Sequence, residues 1–138
     1  MPRPFHGPAF ITPPDPSVWT AKALPAAVRD AVTKACPGEE VRFVCRTDLS
    51  PERLQAAQRC GAERVINPRS EDVVAIAREL TGGEGVDVVV DAVGLGLTKR
   101  QSLHAARPGG AAVWIGLTDN AMTVDSYDVT LPERTVHG

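Results

Sequence analysis

From residue 41 onward, short β-branched runs alternate with short amphipathic segments. Residues 41–47 (VRFVCRT) are rich in β-branched and aromatic side chains and predict a strand. Ser50 then caps a helix, Pro51 takes its first position and Glu52 complements its dipole. Leu54, Ala57 and Cys60 line one face of that helix, and Gly61 ends it. Residues 64–67 predict a short strand. Ser70 is the expected cap of the next helix, in which Val73, Ile76, Ala77 and Leu80 recur at helical spacing. Residues 86–91 (VDVVVD) are nearly continuous valine, as a strand buried on both faces should be. Residues 98–106 predict a helix stopped by Pro108-Gly109-Gly110, residues 111–116 (AAVWIG) a second buried strand, and residues 134–137 a last short one.

The first forty residues read differently. Six of the twelve prolines fall within residues 1–16, which predicts an irregular arm. A weak strand candidate (SVWTA, 17–21) and a helix over 24–36 follow, the helix ended by Pro37-Gly38. Strands alternating with helices predict an α/β domain over residues 17–138. Its expected form is a doubly wound, parallel, Rossmann-like sheet in three layers (α/β/α), with right-handed crossovers and strand order 3-2-1-4-5-6.

Charge and composition narrow the function. A net charge of −2 gives no electrostatic case for nucleic acid or an anionic membrane. No apolar run approaches the ~18 residues of a spanning helix, and no basic-then-apolar leader opens the chain. Cys36, Cys45 and Cys60 are odd in number and lack paired spacing, which suits reduced thiols in a cytoplasm. His6, His104 and His137 are scattered and suit surface or capping roles, so no metal site is expected. Ser102 and His104 lie two apart on one helix and do not face each other.

Asp48, at the end of a strand, is the candidate with the clearest chemistry. In a dinucleotide-binding fold an acid there accepts hydrogen bonds from the adenosine ribose and disfavours a 2′-phosphate, hence NAD over NADP. Arg46 and Arg53 nearby weaken that preference. The alternative is that Asp48 caps the strand–helix junction in water. The fingerprint places a glycine-rich phosphate loop ~20 residues earlier, at residues 22–27 (KALPAA), yet no glycine occurs between Gly7 and Gly38. Lys22, Leu24 and Ala27 would stand in the glycine slots. Leu24 would crowd the phosphate, whereas Lys22 would supply a compensating positive charge, so weakened binding is expected.

TDLSPERL (47–54), GAERVINP, ELTGGEGVDVVVDAVG and RPGGAAVWIGL follow one another in order. Together they resemble the cofactor-binding domain of the medium-chain dehydrogenase/reductase superfamily, in particular zinc-type alcohol dehydrogenase-like oxidoreductases. The resemblance covers residues 41–138; upstream the segment can be placed by position alone. It implies that Asp48 and Arg53 flank the adenosine ribose, that Ala92, Val93 and Gly94 line the cofactor cleft, and that Ile115, Gly116 and Leu117 approach the nicotinamide. For Arg53 a solvated helix position is the alternative, and for Gly94 and Gly116 a plain turn requirement.

The resemblance also implies a catalytic domain carrying the zinc ligands and the substrate pocket, whose residues are not found in this sequence. Three readings follow. The chain is the NAD-binding part of an oxidoreductase that needs a separate catalytic subunit. It is a non-catalytic module, pairing with a second copy through a sheet edge as cofactor domains of this family do. Or it is a truncated relic whose nucleotide site has decayed.

Overall fold

The computed structural model describes residues 9–10 and 44–138. Six strands and four helices are assigned: β1 (Ala9–Phe10), β2 (Cys45–Thr47), α1 (Pro51–Arg59), β3 (Arg64–Ile66), α2 (Val73–Glu79), β4 (Val86–Asp91), α3 (Gly96–Ala105), β5 (Ala106–Trp114), α4 (Tyr127–Thr130) and β6 (Thr135–His137). Every strand pairing is parallel. One ladder runs β1-β4-β5-β6 and the other β2-β3, with β1 lying beside β2. The resulting order is 3-2-1-4-5-6, that of the expected Rossmann-like fold.

Strand β1 is the main departure from the sequence pattern. It falls inside the proline-rich stretch read as an irregular arm, and pairs Ala9 with Val88 and Phe10 with Val89. Ala9-Phe10-Ile11 is a short apolar run set between Pro8 and Pro13. Two residues suffice for the pairing, and a proline just before a strand removes no ladder hydrogen bond from it. The weak candidate at 17–21, the helix over 24–36 and the rest of the arm lie outside the described residues.

The helix ends show how local chemistry places the elements. Ser50 caps α1 as its sequence suggests, accepting the Arg53 N–H, and Pro51 occupies the first turn. The cap of α2 is Asp72 rather than Ser70; its carboxylate accepts the Ala75 N–H at 3.0 Å. Ser70 is spent in the preceding turn, where its backbone N–H donates to the Asn67 carbonyl. Helix α3 starts two residues before the sequence estimate, and α4 arises in a stretch read as a polar connection.

Strand β5 also begins earlier than the pattern 111–116 suggests. Val86 pairs with Ala106 and Val88 with Ala111, so β4 advances by two residues while β5 advances by five. The three extra residues form a bulge around Arg107–Gly110. It is held by ion pairing of Arg107 Nε with the buried Asp87 carboxylate and by the Gly109 N–H donating to Pro132 O at 2.7 Å. Helix α3 does end just before Pro108-Gly109-Gly110, at Ala105, but these residues lie in a bulge within β5, which begins at Ala106 rather than at 111.

Val44, Cys45, Ile66, Val73, Ala77, Val86, Val89, Ala105 and Ala106 form the buried core between the strands and α2 and α3. Leu103, fully buried on α3, adds to it. Truncating Leu103 to Ala should destabilise the chain by about 2–5 kcal/mol, the usual cost of an aliphatic cavity. Urea denaturation followed by circular dichroism would measure this; a loss below about 1 kcal/mol would mean α3 is not packed as described.

Candidate functional site

Because the strands are parallel, their C-terminal ends all open on one side of the sheet. The strand order reverses between β1 and β4, since β2 and β3 extend one way from β1 and β5 and β6 the other way from β4. Crevices beyond the strand ends at such a switch point are where doubly wound sheets bind ligands.

On the β2 side stands Asp48. Its carboxylate accepts Arg46 Nη2 at 2.7 Å and the Ser50 N–H at 3.0 Å, and Arg53 Nη1 lies 3.7 Å away. Burial alone would raise its pKa. The Ser50 N–H, the Arg46 hydrogen bond and the charges of Arg46 and Arg53 outweigh that and hold it below the ordinary value. Asp48 is thus ionised at neutral pH and acts as an acceptor. Arg53 is largely exposed, with its side chain 57% accessible, so it can move toward a ligand without leaving a buried hole.

On the β4 side the chain turns sharply after Asp91. The Asp91 side chain accepts the N–H groups of Val93 at 3.2 Å and Gly94 at 3.0 Å. Its backbone carbonyl accepts those of Ile115 at 2.9 Å and Gly116 at 3.1 Å. One residue therefore ties together the loops that leave β4 and β5. Gly94 lies at φ +82°, and a Cβ built on it would fall 2.2 Å from the Gly116 carbonyl carbon. A Cβ on Gly116 would likewise fall 2.2 Å from Gly94 N. The two loops touch backbone to backbone, which excludes any other residue type at either position.

Asp119 continues the lock. Its N–H donates to Gly94 O, its carboxylate accepts the Gly96 N–H at 2.8 Å, and Thr118 donates to Val93 O. The six residues Ala92, Val93, Gly94, Ile115, Gly116 and Leu117 are therefore brought together. Asp48 and Arg53 form the second group, and Lys22 lies outside the described residues. Thr47, Asp91 and Val93, together with Val73 of α2 and Ser102 and Ala105 of α3, line one small cavity of about 60 Å³. The Thr47 Oγ1 is buried there without a hydrogen-bond partner. The ionised Asp48 carboxylate, an acceptor only, fits a hydroxyl-bearing ligand such as a ribose.

Asp91 and Asp119 were missed at the level of sequence. Asp91 was read as the end of a valine strand, although Asp followed by Ala-Val-Gly is a pattern in which a carboxylate can cap the next turn. The remaining polar candidates are committed elsewhere. Ser102 Oγ bonds Lys99 O and accepts Trp114 Nε1, while His104 Nε2 pairs with Asp128 at 2.8 Å. Cys45 and Cys60 are both buried, and burial with the nearby Glu63 pushes Cys45 up to about 12. Among the described residues, no three His, Cys, Asp or Glu side chains gather as a metal site.

A family model described as zinc-binding dehydrogenase matches residues 31–138. The chain belongs to that family, the zinc-type alcohol dehydrogenases of the medium-chain superfamily, and the matched part is their nucleotide-binding region. The (R,R)-butanediol dehydrogenase of Bacillus subtilis is 36% identical over 91 residues, which is 66% of this chain and 26% of that enzyme. The crystal structure of the 2R,3R-butanediol dehydrogenase from Bacillus subtilis superposes with a TM-score of 0.70 at 26% identity, over 96% of this chain and 35% of that one. L-threonine 3-dehydrogenase of Symbiobacterium thermophilum is 34% identical over 123 residues, 88% of this chain and 34% of its own. A putative zinc-binding dehydrogenase from Sinorhizobium meliloti 1021, solved bound to NADP, shares the fold at a TM-score of 0.67 and 22% identity, over 96% of this chain and 37% of that one. The chain thus spans about a quarter to a third of the curated dehydrogenases named.

The loop lock gives a quantitative expectation. Gly94→Ala should cost more than about 3 kcal/mol, combining left-handed strain of about 1–2 kcal/mol with a backbone clash. Gly61→Ala has the same kind of φ, +93°, but open space around the added methyl, and should cost only about 1–2 kcal/mol. Thermal or urea unfolding of the pair distinguishes the two; equal costs would mean the loops do not meet.

Proposed function

We propose that this chain is the NAD(H)-binding part of an alcohol dehydrogenase-like oxidoreductase of the cytoplasm. The observation that carries the reading is the switch point, with ionised Asp48 on one side and the Asp91-bound glycine loops on the other. In this reading Asp48 accepts the adenosine ribose hydroxyls and Arg53 flanks the same ribose. The backbone of Ala92, Val93 and Gly94 lines the cleft, and Ile115, Gly116 and Leu117 lead toward the nicotinamide. Lys22 offsets the missing glycine loop by offering a charge to the pyrophosphate.

NAD is favoured over NADP because Asp48 presents a negative charge where a 2′-phosphate would sit, and Arg46 and Arg53 are engaged with that carboxylate. When bound, the nicotinamide supplies hydride chemistry; the residues of this chain bind it, orient it and shield one face. Zinc and substrate groups belong, in this reading, to a catalytic part outside the described residues, in the same or a partner polypeptide.

One observation favours a second reading. Val93, Leu95, Leu97, Ile115 and Leu117 leave an exposed apolar rim, Leu117 being 93% accessible, and the edge strand β6 is exposed along its length. These features suit a non-catalytic module that pairs with a second copy or a catalytic subunit.

Calorimetric titration of NADH separates the two. The proposal expects a Kd on the order of tens of micromolar, about −6 kcal/mol. Asp48→Asn, which keeps the shape beside Arg46, should weaken NADH about tenfold and narrow its advantage over NADPH. A folded chain that gives no heat at millimolar NADH, yet sediments as a dimer, would transfer the assignment to the interaction module.

A further inference from the structure

The opposite end of the sheet carries a second concave surface. A cavity of about 410 Å³ opens among Arg78 of α2, Gly83 and Glu84 of the turn before β4, Arg107 and Pro108 of the β5 bulge, and Arg134 just before β6. That volume falls within the roughly 300–1,000 Å³ of small-molecule sites. The six residues of β4 separate it from the nucleotide cleft by roughly 17 Å, so it is not part of that cleft.

Three arginines from three separate segments line this space, and each guanidinium is hydrogen-bonded to the fold. Arg78 Nη2 donates to His104 O at 3.0 Å. Arg107 donates Nη1 to Pro108 O and pairs its Nε with Asp87. Arg134 donates Nε to Ala106 O at 3.0 Å and Nη1 to Asp128 O at 2.8 Å. These bonds fix the forks in place and leave further N–H donors on each, because a guanidinium carries five. Holding donors in position beforehand lowers the entropy lost on binding.

The local charge is unbalanced. The lining itself carries three arginines against one carboxylate, Glu84, while Asp87 pairs with Arg107 and Asp128 lies near Arg134. Burial, and then the like charge of Arg78, pull the pKa of Arg134 down, opposed only by Asp128. Bringing like charges together on a concave surface is costly without an anion, and guanidinium forks match the oxygens of a phosphate geometrically. A phosphate offers more oxygens and more negative charge than a carboxylate, in a tetrahedral array that forks from three directions can share.

We propose that the cavity lined by Arg78, Arg107 and Arg134 is a binding site for a phosphate group, free or carried on a small molecule. It would make the sheet a two-ended binder, with nucleotide at the C-terminal strand ends and a phosphate at the N-terminal ones.

The test is an NMR titration of the full ¹⁵N-labelled chain with inorganic phosphate, and separately with glycerol 3-phosphate. Saturable shifts of the Gly83, Glu84 and Gly109 amides are expected at millimolar ligand. Stronger binding of glycerol 3-phosphate assigns the site to phosphorylated small molecules, and equal or weaker binding assigns it to the free ion. Arg78→Gln and Arg134→Gln should each weaken binding about tenfold, with Arg59→Gln on α1 leaving it unchanged. Arg78 is exposed, so its variant keeps the test valid should Arg134→Gln fail to fold. Three results would overturn the proposal: no saturable shift, a shift indifferent to Arg78→Gln, or equal saturation by acetate.

Discussion

The C-terminal end of the sheet depends on Asp91. Its side chain closes the turn after β4, and its carbonyl accepts the first two N–H groups beyond β5. Both sets of bonds are satisfied only if the two loops lie against each other, and they can do so only because Gly94 and Gly116 have no side chains. Buried polar groups must find partners, and here that requirement sets the position of the loops that line the cleft. Asp119, Gly96 and Thr118 extend the same lock outward.

Much of this was legible in the sequence because it follows from periodicity and short-range chemistry. The valines of β4, the stripe on α2 and the Ser50-Pro51 start of α1 each report a local requirement. The grouping of Ala92–Gly94 with Ile115–Leu117 followed from resemblance, and the structure supplies its physical cause. What was not legible depends on contacts distant in sequence. A two-residue strand between prolines has no periodicity to detect, so β1 was read as arm. Pro-Gly-Gly reads as a helix stop, and the bulge it forms beyond that stop depends on Arg107 meeting Asp87, twenty residues away, and Gly109 meeting Pro132. Asp91 looked like the polar end of a buried strand because its partners include residues from the next strand.

The two ends of the sheet differ in how they hold charge. At the C-terminal end an acidic group is flanked by Arg46 and Arg53 and kept ionised, a balance suited to accepting hydroxyl donors. At the N-terminal end three arginines line the cavity against one lining carboxylate, Glu84, and are tied back by carbonyls. Parallel topology produces this separation, since every strand starts at one end and stops at the other. The bulge in β5 holds Arg107 at the N-terminal end, where it pairs with Asp87 and lines the cavity.

Hydrogen exchange with and without NADH tests the central claim most directly, because it locates the nucleotide rather than merely detecting it. The account predicts joint protection of the segments after β2, β4 and β5, at residues 47–50, 92–96 and 115–119, with no change around Gly83 and Gly109. Protection confined to the arginine cavity, or none under conditions where the chain is folded, would contradict the placement of the cofactor at the switch point.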